Sequence, residues 1–141
     1  MTRVVLDASV ALAWCFPDEA SEYADGVLVA LEGCSLLVPA VWGLEITNAM
    51  LVGERGKRLR QPEILRFVDL LETLPLIQDT QPVGEQLSNI FPVAREYGLS
   101  AYDAAYLELS MRRGAPLATL DGKLRTAAQK AGVETFVAKR L

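Results

Sequence analysis

The sequence of 141 residues contains no histidine, and this absence excludes several kinds of chemistry. Histidine is the usual general base and metal ligand near neutral pH. Without it the chain has no Ser-His-Asp or Cys-His nucleophile and few ways to build a zinc site. Cysteine is scarce as well, since only Cys15 and Cys34 occur. Their spacing fits no metal site, so we expect small buried thiols in a reducing compartment, with a disulfide left open.

Positive charge is also in short supply. Lys and Arg number 14 against 18 Asp and Glu, which gives a formal net charge of −4 and a pI of about 4.9. Proteins that hold nucleic acid through a broad phosphate-neutralising surface are usually basic. Any contact of this chain with nucleic acid must therefore be local, or be bridged by a cation at an acidic site.

Long hydrophobic runs are missing too, since none approaches the roughly 20 residues that cross a bilayer. Arg3 precedes an apolar stretch that could begin a signal peptide. However, Asp7 interrupts that stretch, and Pro17 with two acids follows where a cleavage site of small residues would stand. We expect a cytoplasmic chain without a membrane partner, folded as one domain over residues 1–141.

Short apolar runs alternate with longer helical patterns along the chain. Strands are predicted at 3–7, 36–38, 76–77 and 117–120, with a last one near 135–137. Helices are predicted at 10–16, 19–31, 41–52, 63–73 and 100–113, after Pro82 with a kink or split at Pro92, and from a turn at Asp121-Gly122 to Ala131. Because parallel strands need long crossovers, this alternation predicts an α/β fold with a mainly parallel sheet.

Four acidic residues are candidates for a site. Asp7 and Asp121 follow predicted strands, and ligands of open parallel sheets bind outside the carboxyl ends of the strands. Asp103 lies in the first turn of the helix predicted at 100–113. Glu45 lies within an apolar helix face, where a carboxylate needs an exposed cleft or a partner. Asn48, one turn on, is one possible donor. Structural roles are open to the others: a helix cap for Asp7, a helix-dipole contact for Asp103 and a turn for Asp121.

If these acids converge, they require a cation. Two carboxylates about 4 Å apart repel by roughly 4 kcal/mol at an effective dielectric near 20. Oxygen ligands without His or Cys suit hard ions, so we expect Mg²⁺ or Mn²⁺. Ser9 and Thr119 lie two residues from Asp7 and Asp121, where their hydroxyls can orient a carboxylate, hold a water, or act only as helix-cap and strand-end groups.

Four motifs together resemble the PIN-domain family, and most closely its VapC-type toxins. The motifs are Val5-Leu-Asp7-Ala-Ser9-Val10, then Pro39 with Glu45-Ile-Thr-Asn48-Ala, then Leu99-Ser-Ala-Tyr-Asp103-Ala-Ala-Tyr106, then Ala118-Thr-Leu-Asp121-Gly-Lys-Leu124. The resemblance implies a doubly wound parallel sheet in three α/β/α layers. It matches Asp7 and Asp103 to the strongest metal ligands, Asp121 to a third and more variable acid, and Glu45 to a carboxylate carried by a helix.

The same resemblance implies a function and partners. A VapC-type protein is a Mg²⁺- or Mn²⁺-dependent endoribonuclease, the toxin of a toxin–antitoxin pair, which usually forms a homodimer and is inhibited by a small antitoxin inserted into its cleft. The acids would hold one or two ions that activate a water and neutralise developing charge. Cleavage would leave a 5′-phosphate and a 3′-hydroxyl. The residues alone do not distinguish RNA from DNA as the substrate.

Basic residues cluster after the helix that carries Glu45, at Arg55, Lys57, Arg58 and Arg60, with Arg66 just beyond. We predict that Lys57 and Arg58 contact phosphates of RNA, and the alternative is a solvated loop. Two rival functions stay open. One is another Mg²⁺-dependent phosphotransfer or phosphohydrolase domain, which the lack of a second aspartate two residues after Asp7 disfavours. The other is a non-catalytic PIN-like module that binds RNA or protein, which would have no reason to keep four repelling acids together.

Overall fold

The computed structural model describes residues 2–138, which contain a parallel sheet of four strands. The strands are β1 (Thr2–Leu6), β2 (Cys34–Val38), β3 (Leu76–Gln78) and β4 (Leu117–Ala118). Their order in the sheet is β3-β2-β1-β4, and every pair is parallel. Because β1 is parallel to both of its neighbours, β2 and β4, the chain segments that follow these three strands all begin at the same edge of the sheet, where the strands end.

Seven helices accompany the sheet within residues 2–138. They are α1 (Ala8–Cys15), α2 (Glu22–Ala30), α3 (Trp42–Arg55), α4 (Gln61–Glu72), α5 (Val83–Tyr97), α6 (Ala101–Arg113) and α7 (Gly122–Lys130), with a 3₁₀ turn at Pro17–Glu19. One group forms around α1, which contacts α2, α3 and α4, and the other around α6, which packs on β1 and β2 with α5 and α7 beside it. The predicted three-layer α/β/α fold with a doubly wound parallel sheet is confirmed.

Strand β1 lies at the centre of the hydrophobic core. Val4, Val5 and Leu6 of β1 are completely buried, as a strand covered by helices on both faces requires. On α6, Tyr106 and Leu107 are completely buried against this sheet. The ends of α6 are well defined, because the Ser100 hydroxyl accepts the N–H of Asp103 and Gly114 takes a left-handed conformation with φ of 61°.

Two details of the predicted elements differ in the structure. Of the kink or split predicted at Pro92, the split is wrong, because α5 runs without interruption from Val83 to Tyr97. Pro92 lies on an exposed side of the helix, where water can bond to the carbonyl that the proline leaves unpaired. The last strand, predicted near 135–137, is reduced to a single parallel bridge between Leu117 and Thr135.

The helices in residues 2–138 are too short or too polar to cross a bilayer. None of them combines the length and the apolar character that a membrane span demands. The longest helix, α5, has 15 residues.

Candidate active site

The four candidate acids come from four separate elements and line one cavity of about 310 Å³. Asp7 follows β1, and Asp121 follows β4, which pairs with β1. Glu45 lies in the first turn of α3, the helix after β2, and Asp103 lies in the first turn of α6. The sheet therefore gathers side chains that are far apart in sequence at the carboxyl edge of its strands, as expected for an open parallel sheet.

Asp7 is held by two hydroxyl groups. Asp7 is the N-cap residue of α1, as the structural alternative predicted, but its side chain makes no capping bond there. Ser9 Oγ and Thr119 Oγ1 instead donate to the same atom, Asp7 Oδ2, over 2.6 and 2.7 Å. Each hydroxyl is itself oriented, since Ser9 Oγ accepts the N–H of Leu120 and Thr119 Oγ1 accepts the N–H of Asp121, both at 3.0 Å. Asp7 Oδ2 is thus fixed by two donors.

Glu45 has a partner that the sequence pattern did not reveal. The hydroxyl of Tyr106 donates a hydrogen bond of 2.5 Å to Glu45 Oε1. Asn48 lines the same cavity, but it does not bond to Glu45. A signal for this contact was present, because a buried tyrosine usually finds a partner for its hydroxyl. Tyr106 lies one turn after Asp103 and is buried, so its residue type alone is equally consistent with a core residue.

The dipeptide Asp121-Gly122 predicted a turn, but in the structure Asp121 is the N-cap of α7. Its Oδ1 accepts the N–H groups of Lys123 and Leu124, at 2.9 and 3.1 Å. Asp103 sits within the first turn of α6, whose cap is Ser100. Both aspartates therefore lie at the N-terminal, positive ends of helices.

Three acids of the cavity, Asp7, Glu45 and Asp103, have raised pKa values. Burial raises the pKa of Asp7, and the charges of Asp103 and Asp121 raise it further, against the opposing hydrogen bonds of Ser9 and Thr119. The pKa of Glu45 is raised by burial and, to a smaller extent, by Asp7 and Asp103. Like charges that interact in this way favour protonation of one group or the binding of a cation.

Asp103 shows the same effect with one difference. Burial and the neighbouring Asp121 raise the pKa of Asp103, while the charge of Lys123 lowers it. Lys123 is the second residue of α7 and is exposed, so it brings a positive charge near the acidic cavity. Its influence does not reverse the direction of the shift.

The donor set fits a hard divalent cation in chemistry but is not closed around one ion. The cavity offers carboxylate oxygens, which Mg²⁺ and Mn²⁺ prefer. Within residues 2–138, however, no three Asp, Glu or Cys side chains are arranged so that they could hold a single ion together. Asp7, Asp103 and Asp121 therefore remain the predicted ligands.

The basic loop after α3 is partly engaged in contacts of its own. Arg58 donates to Asp18 at 2.9 Å and to Glu19 at 3.4 Å, and its guanidinium stacks over the ring of Phe16 at 4.3 Å from the centroid. Lys57 is exposed and has a positive φ of 59°. Contacts of Lys57 and Arg58 with RNA stay a prediction, and Arg58 has a second role as a link between this loop and the 3₁₀ turn.

Comparison with known proteins identifies relatives of this chain and structures with a similar fold. Ribonuclease VapC3 of Pyrobaculum aerophilum is 30% identical over 122 residues, which cover 86% of this chain and 92% of that protein. The crystal structure of PAE2754, also from Pyrobaculum aerophilum, has a TM-score of 0.66 at 24% identity, over 89% of this chain and 79% of that one. VapBC2 from Rickettsia felis, solved with a DNA fragment from its promoter, has a TM-score of 0.67 at 10% identity, over 96% of this chain and 98% of that one.

The two structural likenesses concern the fold, since both lie below 25% identity. The family itself is matched over most of the chain. The family model of the PIN domain matches residues 4–130, from the first strand to the end of α7. This range includes all four acids of the cavity. The chain belongs to the PIN domain family.

Proposed function

We propose that this chain is a metal-dependent endoribonuclease, the toxin of a VapC-type toxin–antitoxin pair, which hydrolyses phosphodiester bonds of RNA. One observation carries the proposal: Asp7, Glu45, Asp103 and Asp121 come from four separate elements and line one cavity. Three of these acids, Asp7, Glu45 and Asp103, have raised pKa values, and such a group is costly unless it serves a purpose. The relative named Ribonuclease VapC3, which this chain matches over most of its length, supports ribonuclease chemistry.

In this proposal Asp7, Asp103 and Asp121 hold one or two Mg²⁺ or Mn²⁺ ions. Such an ion, when bound, supplies positive charge for the phosphate and lowers the pKa of water. Ser9 and Thr119 orient Asp7 by fixing Oδ2, so that Oδ1 is the oxygen left for a ligand. The capping bonds of Asp121 fix Oδ1 in the same way and leave Oδ2. Both aspartates are thus oriented before any substrate arrives, which lowers the cost of binding.

Glu45 has a different part in the proposal. One of its oxygens, Oε1, is bound by Tyr106, and Oε2 is left to hold a water in the cavity or to accept its proton. The chain has no histidine that could do this work. We expect products with a 5′-phosphate and a 3′-hydroxyl.

Partners form a further part of the proposal. VapBC2 of Rickettsia felis is a complex solved with promoter DNA, which supports a small antitoxin as the cognate inhibitor of this chain.

We also propose a homodimer. Val83, Leu87 and Phe91 follow one another at intervals of four residues on α5 and are 71, 68 and 59% exposed, so an apolar stripe is open to a second copy. Light scattering measures the outcome against the monomer mass of 15.4 kDa.

Digestion of total RNA tests the activity. Wild-type protein is expected to cut RNA with Mg²⁺ or Mn²⁺ and to stop when EDTA is added. Asp7→Asn should lose at least about a hundredfold in rate, because a ligand of the ion is gone. Asp25→Asn is the matched control, since Asp25 is an exposed acid on α2, outside the cavity. Equal cutting by wild type and Asp7→Asn would refute the proposal, and equal cutting of single-stranded DNA would widen the substrate class.

A further inference from the structure

Tyr106 combines a fully buried ring with a hydroxyl that reaches an acid of the cavity. Its exposed fraction is 0%, and its ring belongs to the core between α6 and the sheet. The hydroxyl donates to Glu45 Oε1 at 2.5 Å, across 61 residues of sequence. A phenylalanine would fill the same volume without burying a polar group, so packing alone does not require a tyrosine here.

Glu45 needs such a partner because its surroundings repel it. The charges of Asp7 and Asp103 act on it from the cavity, and no ion pair is formed by Glu45 within the described part of the chain. It lies on a helix whose neighbouring Leu44 is 71% exposed, so solvent is close. A glutamate side chain has several rotamers, and those that turn toward water avoid both the repulsion and the loss of hydration.

We propose that Tyr106 is a positioning residue whose hydroxyl holds the Glu45 carboxylate inside the acidic cavity against repulsion by Asp7 and Asp103. The position of Tyr106 on its helix strengthens this assignment. Asp103 and Tyr106 are three residues apart on α6 and so lie on one side of it. The same helix therefore presents one acid to the cavity and fixes a second acid that α3 carries. This role rests on the proposed nuclease function.

A double-mutant cycle between Tyr106 and Glu45 tests the proposal. Tyr106→Phe keeps the ring and removes only the hydroxyl. We expect kcat for RNA cleavage to fall by about 10- to 100-fold with little change in KM, as when an outer hydrogen-bond partner of a site is removed. Tyr106→Phe should have no further effect in a Glu45→Gln background, because Tyr106 acts through the Glu45 carboxylate. Equal losses in both backgrounds would show a general structural role and overturn the proposal.

Tyr23→Phe is the matched control. The Tyr23 hydroxyl donates a bond of 2.7 Å to the carbonyl of Phe136, so this variant also loses a partly buried tyrosine hydrogen bond, but none to a cavity acid. Cleavage by Tyr23→Phe should keep the wild-type kcat. A loss in Tyr23→Phe equal to that in Tyr106→Phe would mean that tyrosine hydrogen bonds matter only for general stability, against the proposal.

A crystal structure of Tyr106→Phe provides a readout that does not depend on activity. The carboxylate of Glu45 is expected to turn out of the cavity toward solvent, while Asp7 keeps its bonds to Ser9 and Thr119. An unchanged Glu45 would overturn the positioning role, whatever the kinetics. The two failures are distinguishable: a wild-type protein that cuts no RNA contradicts the nuclease function, whereas a fixed Glu45 in the variant contradicts only the role of Tyr106.

Discussion

The hydroxyl of Thr119 donates a 2.7 Å hydrogen bond to Asp7 Oδ2 and joins two chain segments that are 112 residues apart. Both residues are buried, at 1 and 5% exposure. Thr119 also accepts the N–H of Asp121, so one hydroxyl links two acids of the cavity. The pairing of β1 with β4 brings Asp7 and Thr119 together. Their hydrogen bond therefore links the two strands and at the same time orients an acid of the cavity.

Thr119→Val should therefore reduce both stability and activity. Valine has nearly the same shape but leaves Asp7 with one donor fewer and the Asp121 N–H without its acceptor. An unsatisfied buried polar group costs about 1–3 kcal/mol of unfolding free energy, and cleavage should slow by about 10- to 100-fold. Urea unfolding and RNA cleavage measure the two effects. Thr126→Val is the control, since that hydroxyl bonds to a helix carbonyl in an exposed place, and its cleavage rate should stay normal.

The raised pKa values of Asp7, Glu45 and Asp103 predict how stability depends on pH in the presence of EDTA. A carboxyl group with a folded pKa above its unfolded value favours folding fully below the unfolded pKa, about 3.8 for Asp and 4.5 for Glu. That contribution is lost as pH rises through the folded pKa, at about 1.4 kcal/mol for each unit of difference.

The wild type alone does not isolate this effect, because Asp79 has a lowered pKa, caused first by its hydrogen bond with Arg112, and acts in the opposite direction. A comparison of wild type with Asp7→Asn isolates the effect of Asp7, because Asp79 is present in both proteins. Above about pH 5 the variant should gain stability relative to wild type, and the gain should grow with pH. Melting temperatures of the two proteins from pH 4 to 8 provide the measurement. A difference that stays constant with pH would contradict the raised pKa of Asp7.

Added metal is expected to reverse this loss. A ligand that binds only the folded protein stabilises it by about 1.4 kcal/mol when its free concentration is ten times Kd. Mg²⁺ or Mn²⁺ at neutral pH should therefore raise the melting temperature of wild type, and should raise it less in Asp103→Asn. Thermal unfolding over a series of metal concentrations measures this. A melting temperature of wild type that ignores both ions would count against the predicted metal site.

Much of the fold was predictable because its elements follow local rules. The buried run before Asp7 is typical of a strand, and Ser100 with Gly114 marks both ends of α6. The four acids could be named because Asp7 and Asp121 follow strands and because the motifs resemble those of a known family. Where parallel strands end, side chains from distant parts of a sequence meet, so even their convergence was a reasonable expectation.

The contacts that fix these acids were harder to predict, since they depend on side-chain directions in three dimensions. The bond between Tyr106 and Glu45 joins two helices, and neither residue type indicates the other. The predicted split at Pro92 was wrong for a related reason: propensity treats proline as a helix breaker, but α5 packs against α6 and continues through Pro92. Tertiary packing decided both cases.

The loop after α3 allows the two predicted RNA-binding residues to be separated. Lys57→Ala should weaken RNA binding and reduce the salt dependence by a slope of about 0.7 for each phosphate of a single strand that Lys57 neutralises. Lys130→Ala, at the exposed last turn of α7, is the control. Arg58→Ala breaks the pairs with Asp18 and Glu19, so the melting temperature should fall as well. Binding to a labelled single-stranded RNA at several salt concentrations tests both. Unchanged binding by Lys57→Ala would mean that this loop is solvated, and that RNA is held elsewhere along the cavity.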